Sequence, residues 1–153
     1  MVKILFGLHL SFLFIWAVAL VTTLIQSRQV SKNWNTPKTR SRLEMIVLLV
    51  RWVLNPSSFI VLVTGIFMIE NMGLVHTQKP LYILLMEFGG AALIFGSIIF
   101  LTLQSLKIKK LVNQSLDVEQ KTGAQLVSGL GLMTGGTVIL ALVVLLIAYT
   151  KVS

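Results

Sequence analysis

The chain is poor in the side chains that build soluble catalytic sites and metal sites. Its 153 residues include no cysteine, two histidines and five acidic residues. The lack of cysteine excludes disulfides, thiolate metal sites and c-type haem attachment. Charged residues make up 12% of the chain, against roughly 25% in an average soluble domain. The sequence therefore lacks the polar surface that a water-soluble protein of this size needs.

Long apolar runs take the place of that polar surface, and 56% of the residues are hydrophobic. A helix crosses a hydrocarbon core of about 30 Å with about 20 residues. Runs of this kind cover residues 4–25, 45–69, 81–103 and 124–149. None of them alternates apolar and polar residues as a transmembrane barrel strand does. We predict an all-α polytopic membrane protein, a four-transmembrane-helix bundle that forms a single domain over residues 1–153.

The basic residues that give the net charge of +8 are concentrated in two of the three connecting loops. The first loop contains Arg28, Lys32, Lys38, Arg40 and Arg42, and the third contains Lys107, Lys109, Lys110 and Lys121. The second loop contains Lys79 alone. Short cytoplasmic loops accumulate Lys and Arg. We therefore predict cytoplasmic first and third loops, with both termini on the outer side of a bacterial cytoplasmic membrane. Topology explains this charge better than nucleic-acid binding, and anionic lipid headgroups are the partners expected at the basic loops.

A cleavable signal peptide is the alternative for the N-terminal run. Lys3, an apolar stretch and the small residues Ala17–Ala19 resemble such a signal. Cleavage there would leave the basic first loop outside the membrane, against the charge bias. The apolar run also continues through Leu24. An uncleaved first span fits the sequence better.

Proline and small residues predict how the spans bend and pack. Pro56 predicts a kink in the second span, with neighbouring polar side chains satisfying the freed backbone groups. The small residues form two faces. One consists of Gly131 and Gly135 in the fourth span, and the other of Gly89, Ala92 and Gly96 in the third. Such faces let helices approach closely in lipid. They serve either packing inside the bundle or an interface with a second copy or another membrane protein.

Ionisable side chains inside a span are costly and point to function. Those in the predicted spans, or at their ends, are His9, Arg51, Glu70 and Glu87. The predicted topology places His9 and Glu87 at similar depths near the outer face, below Lys79. A carboxylate can orient an imidazole and leave its other nitrogen free for a metal ion or haem iron. We expect a polar outer pocket in which His9 is the cofactor or metal ligand, Glu87 its orienting partner, and Lys79 a second ligand or anion contact.

Structural roles remain open for three of these residues, and for Glu87 the alternative is a structural pairing inside the bundle. His9 could instead hydrogen-bond a neighbouring helix without binding a ligand. Arg51 stands beside Trp52, and the pair is typical of an anchor at the membrane interface. The other interpretation of Arg51 is a cofactor-binding role, in which it contacts an anionic group such as a phosphate or a propionate.

Catalytic motifs are absent from the sequence, which contains no HExxH, no nucleophile elbow and no Walker loop. A binding role for haem b or a metal ion is therefore the leading hypothesis. A non-catalytic membrane subunit or scaffold is the alternative from another class. A small proton-coupled transporter, with His9 and Glu87 as a relay, is a third.

Several short motifs resemble the CopD-like superfamily of small four-helix bacterial membrane proteins. The first span reads LHLSFLFIWAVAL, the second RLEMIVLLVRWVLNPSSFIVLVTGIF, and QKPLYILLM opens the third. The shared features are His9, Trp16, Arg42, Leu43, Pro56, Thr64, Gly65 and Lys79. That group includes copper-resistance domains and HemJ-type protoporphyrinogen oxidase, and its haem-linked branch implies functional positions at His9 and Lys79. The third span reads MEFGG where that branch carries further histidines, so the resemblance implies the fold more strongly than the chemistry.

Overall fold

The computed structural model describes residues 2–34, 37–71, 84–113 and 120–152, and the regular structure within those ranges is helical. The α-helices are α1 (Val2–Lys32), α2 (Thr39–Leu49), α3 (Asn55–Asn71), α4 (Gly90–Asn113) and α5 (Gln120–Val152). One π-helical turn, Val50–Leu54, joins α2 to α3, and a second, Leu85–Gly89, precedes α4. α2, the first π-helical turn and α3 form one continuous helix over Thr39–Asn71. The described part therefore contains four helices long and apolar enough to cross a membrane. The prediction of an all-α protein with four such helices is confirmed.

The helices continue beyond the apolar runs that predict them. α1 ends at Lys32 rather than near Ile25, and its 31 residues correspond to about 46 Å at a rise of about 1.5 Å per residue. This length exceeds a hydrocarbon core of about 30 Å. The segment that carries Arg28 and Lys32 is thus helical, although its polar residues mark it as loop in the sequence.

The helices pack as a ring of antiparallel neighbours. α1 packs against the α2–α3 rod on one side and against α5 on the other, and α4 packs against both of these as well. One end of the bundle holds the start of α1, the end of α3 and the start of α4, and we call it the His9 end. The other holds the end of α1, the start of α2, the end of α4 and the start of α5, and we call it the basic end.

One face of α1 forms much of the core, and its residues recur at intervals of two helical turns. His9, Trp16, Thr23 and Val30 are seven residues apart, a spacing that keeps side chains on one face of a helix. Trp16 is 3% exposed, and Thr23 and Val30 are fully buried. His9 is half-buried at the N-terminal end of the same stripe. The imidazole therefore faces the other helices rather than the surroundings of the bundle.

The surface of the bundle is apolar, unlike that of a soluble protein. Its outward faces are apolar, with Phe14, Trp52 and Leu132 between 69% and 76% exposed. Within the described residues, the buried polar side chains are all Ser or Thr: Thr23, Ser27, Thr39, Ser57, Ser58, Thr64, Ser97, Ser105 and Thr134. Except for Thr39, each hydroxyl donates to a carbonyl three or four residues earlier in its own helix. Hydroxyls satisfied in this way suit a bundle surrounded by lipid.

The bend predicted at Pro56 takes the form of the π-helical turn just before it. The backbone N–H of Asn55 donates to the Val50 carbonyl, which gives the wider hydrogen-bonded ring of a π turn. The hydroxyls of Ser57 and Ser58 donate to the Val53 and Leu54 carbonyls of the same turn. The Asn55 side chain instead reaches α4, where its Nδ2 donates to Thr102 Oγ1 at 3.0 Å.

The two small-residue faces point in different directions. A methyl group at Gly131 would lie 2.7 Å from Ser27 Oγ, and one at Gly135 would lie 3.6 Å from a Leu24 methyl. This face therefore serves packing of α5 against α1 within the chain. At Gly89 and Gly96 a methyl group would meet no described atom within 4 Å, because that face lies on the outside of the bundle.

Candidate functional site at the His9 end

A hydrogen bond between α1 and α3 fixes the imidazole of His9. Its Nδ1 lies 2.9 Å from Oγ1 of Thr64. Thr64 is itself 7% exposed. The first predicted ligand is thus anchored to the TG pair of the second span.

The hydrogen bonds of Thr64 favour a proton on Nδ1 of His9. The Thr64 hydroxyl lies 2.7 Å from the Ile60 carbonyl and 3.1 Å from the Val61 carbonyl. A carbonyl can only accept, so the hydroxyl proton is directed to these oxygens. The Thr64 oxygen then accepts from Nδ1–H of His9, and a neutral imidazole with a proton on Nδ1 has its lone pair on Nε2. Nε2 is therefore the atom of His9 that is able to ligate or to accept a proton.

Gly65 provides the surface on which the ring lies. A methyl group at Gly65 would touch His9 Cε1 at 3.4 Å and Nδ1 at 3.9 Å, which are ordinary contact distances. Any larger side chain there would compete with the imidazole for the same space. The ring is therefore held from one edge by Thr64 and supported on its Cε1 side by Gly65.

Trp16 adds a polar group two helical turns along the same face of α1. Its Nε1 is fully buried and has no hydrogen-bond partner among the described residues. A buried donor without a partner costs about 1–3 kcal/mol. A bound polar group or an ordered water molecule would remove that cost.

Of the other candidates predicted to lie near His9, two are at this end of the bundle and two fall outside the described residues. Glu87 is half-buried in the π-helical turn Leu85–Gly89, and Glu70 is exposed at the end of α3. Both lie at the His9 end, as the predicted topology requires. Lys79 and His76 fall outside the described residues. The pairing of His9 with Glu87 and the ligand role of Lys79 stay predictions.

Arg51 lies away from His9. It belongs to the π-helical turn Val50–Leu54, thirteen residues before Thr64, which is about 20 Å along a helix axis. Its guanidinium carbon lies 5.9 Å from the centre of the Trp52 ring, and both side chains are exposed. The structure does not bring Arg51 to His9, and its contact with Trp52 is the one expected of an interfacial anchor. A role for Arg51 in binding an anionic group stays a prediction.

Two residues of this site were not assigned a role from the sequence. Thr64 is the hydrogen-bond partner of His9. The sequence feature that points to it is the TG pair, which lies at the depth expected for His9. Trp16 is a buried donor, and its signal is the interval of seven residues from His9, which places both on one face. Neither signal identifies the contact by itself, because it depends on how α1 and α3 are rotated against each other.

The donor set suits some metal centres and not others. Within the described residues no three side chains of His, Cys, Asp or Glu cluster as a metal-binding group. A metal ion held by protein ligands alone therefore does not fit the described part of this end. A haem iron takes four ligands from the porphyrin and needs one or two from the protein. A single imidazole with a free Nε2 fits that requirement.

No protein-family model, curated protein or solved structure matches this chain. The resemblance to the CopD-like superfamily therefore remains a hypothesis based on the motifs His9–Trp16 and Thr64–Gly65.

Proposed function

We propose that this chain is a small integral membrane protein that binds a haem group through His9 at the outer end of the bundle. The apolar outer surface and the four long helices support insertion into a bilayer. The excess of Lys and Arg at the basic end supports an orientation with that end in the cytoplasm and both termini outside.

The hydrogen bond from His9 Nδ1 to Thr64 is the observation that carries the binding role. Ligating histidines commonly donate their second nitrogen to an acceptor that fixes the ring orientation and tautomer. Thr64 is such an acceptor, and it directs the lone pair to Nε2.

Three residues at this end have a definite task in the proposal. His9 would ligate the haem iron through Nε2, Thr64 holds the ring, and Gly65 leaves room for it. The buried Nε1–H of Trp16 is available to a polar group of the ligand. The haem, when bound, supplies one-electron chemistry.

The absorption spectrum of the protein purified in mild detergent tests this proposal. We expect a Soret band, either as purified or after addition of haem, that is lost in His9→Ala. Thr64→Val should weaken haem binding, because the ring loses its acceptor. Thr134→Val is the matched control, since Thr134 is also a buried threonine but its described hydrogen bond goes to its own helix at Leu130.

Two results would contradict the haem proposal. One is the absence of a Soret band even after haem addition. The other is a band of equal strength in His9→Ala and the unchanged protein, because the ligand would then lie elsewhere.

A non-catalytic subunit or scaffold is the second candidate function, and the outward face of α4 favours it. Gly89, Ala92 and Gly96 lie on the outer surface of the bundle, beside the exposed Phe88 and Phe95. Small residues between large apolar ones would allow another membrane helix to approach closely. Gly96→Leu should then remove a co-purifying chain while His9→Ala leaves it bound. Loss of the chain in His9→Ala but not in Gly96→Leu would contradict the scaffold role of this face.

A further inference from the structure

A cleft opens at the basic end between the last turns of α1 and the first turns of α5. It has a volume of about 320 Å³, and it is open to the surroundings on one side. Arg28, Ser31 and Lys32 line it from α1, and Ser128 and Leu132 line it from α5. We call it the basic cleft. It lies far from the His9 end and does not depend on the function proposed for His9.

Two close glycine contacts hold the helices together above and below the basic cleft. Gly131 packs against Ser27, where a methyl group would lie 2.7 Å from the hydroxyl oxygen, and a methyl group at Gly123 would overlap the Trp34 ring. The two glycines are eight residues apart, or about 12 Å along the axis of α5. Ser27 and Gly131 line the cleft at one end, and Arg28, Ser31, Lys32, Val127 and Ser128 lie between the two contacts along the helices. The cleft is thus a built feature of the α1–α5 packing rather than a gap between loose ends.

The polar part of the lining suits a phosphate group. Arg28 and Lys32 are four residues apart, so both project from one face of α1. Within the described part of the chain neither forms an ion pair, and the described salt bridge joins Arg40 to Glu44. Guanidinium and ammonium groups bind phosphate oxygens by charge-assisted hydrogen bonds. The hydroxyls of Ser31 and Ser128 add neutral donors beside them.

The apolar part of the lining indicates that the phosphate belongs to a lipid. Leu132 continues the cleft toward the middle of the bundle and is 76% exposed, and the buried Val127 is a second apolar lining residue. The neighbouring outward side chains Ile25 and Met133 are exposed and apolar as well. A lipid has the same order of groups, a charged headgroup followed by hydrocarbon. A free phosphate would leave this apolar half of the lining without a partner.

We propose that the basic cleft binds the phosphate group of an anionic phospholipid. Arg28 and Lys32 contact the phosphate oxygens, Ser31 and Ser128 donate from either side, and Leu132 lies against the first part of an acyl chain. A cytoplasmic cluster of basic residues attracts anionic lipids in general. The basic cleft would add a defined binding site to that attraction.

Binding of phosphatidylglycerol to the full chain in neutral detergent micelles tests this proposal, with native mass spectrometry as the measurement. A basic side chain near an anionic surface contributes roughly 1 kcal/mol, so we expect Arg28→Gln and Lys32→Gln each to raise the dissociation constant about fivefold. The double variant should raise it about 30-fold if the two effects add. Phosphatidylcholine, which has no net charge, should bind weakly to every variant.

The matched control is Lys109→Gln combined with Lys110→Gln. These lysines are exposed, lie near the C-terminus of α4 at the same end of the bundle, and carry the same total charge. We expect phosphatidylglycerol binding to change less than twofold in this control. An equal loss in the control and the cleft variants would overturn the proposal, because the attraction would then come from overall charge.

Inorganic phosphate distinguishes the two sources of a phosphate group. We expect millimolar inorganic phosphate neither to bind measurably nor to displace phosphatidylglycerol. If inorganic phosphate binds in a way that depends on Arg28 and Lys32 while phosphatidylglycerol does not, the lipid proposal is wrong. If phosphatidylglycerol binds equally to the unchanged protein and the cleft variants, it is wrong as well.

Discussion

The two ends of the bundle present polar groups to a ligand in different ways. At the His9 end a single imidazole is fixed by Thr64, and its chemistry depends on which nitrogen is free. At the basic end Arg28 and Lys32 stand in an open cleft whose shape is set by glycine contacts between helices. The first arrangement suits one directional bond, and the second suits a diffuse negative charge. Changes at one end should therefore leave binding at the other end intact.

Disruption of the α1–α5 contact is the change expected to have the largest effect. Gly131→Leu forces bulk against Ser27, so we expect the free energy of unfolding to fall by about 1–3 kcal/mol. Gly96→Leu, on the open outer face, should change it by less than about 0.5 kcal/mol. Unfolding in detergent micelles measures both. Equal effects of the two substitutions would mean that α5 does not pack closely against α1 at Gly131.

The hydrogen bond between Asn55 and Thr102 lies between the two ends and joins α3 to α4. A double-mutant cycle of Asn55→Leu and Thr102→Val should give a coupling energy of about 0.6 kcal/mol, the average for such bonds in membrane proteins. Reversible unfolding of the four proteins measures it. A coupling energy near zero would show that the two side chains are not bonded.

The bond between His9 and Thr64 should contribute a similar or smaller amount to stability. Thr64→Val removes the acceptor with little change of shape, and we expect a loss of about 0.5 kcal/mol in the free energy of unfolding. Thr134→Val is the reference for a buried hydroxyl that bonds only within its own helix. Phosphatidylglycerol binding at the basic cleft should be unchanged in both variants. A weakened cleft in Thr64→Val alone would mean that the two ends are coupled.

The ion pair between Arg40 and Glu44 should have the smallest effect. Both side chains are more than half exposed and stand four residues apart on α2, and such pairs contribute about 0.3–0.5 kcal/mol. We expect Arg40→Gln to lower the unfolding free energy by no more than that and to leave phosphatidylglycerol binding unchanged. A large loss of lipid binding would show that the site extends from the basic cleft onto α2.

Hydrophobic run length was sufficient to predict the four helices, because it depends on local sequence. Run length and the alternating direction of the helices also placed His9, Glu70 and Glu87 at one end. They did not give the contact of His9 with Thr64, which depends on the relative rotation of two helices. The GxxxG spacing of Gly131 and Gly135 indicated close packing but left its partner open, and the structure identifies that partner as α1. The basic cleft could not be predicted from the sequence, because the polar residues around Arg28 and Lys32 indicate a loop rather than a helix.

The protonation of His9 is the most direct test of the binding role proposed for it. In protein labelled with ¹⁵N-histidine, the His76→Gln variant leaves His9 as the only imidazole. We predict that in alkaline buffer, without ligand, the NMR spectrum shows a proton on Nδ1 and a bare Nε2. Thr64→Val should remove this preference. A proton on Nε2 in the unchanged protein would contradict the account, because the nitrogen directed at Thr64 would then be the one with the free lone pair.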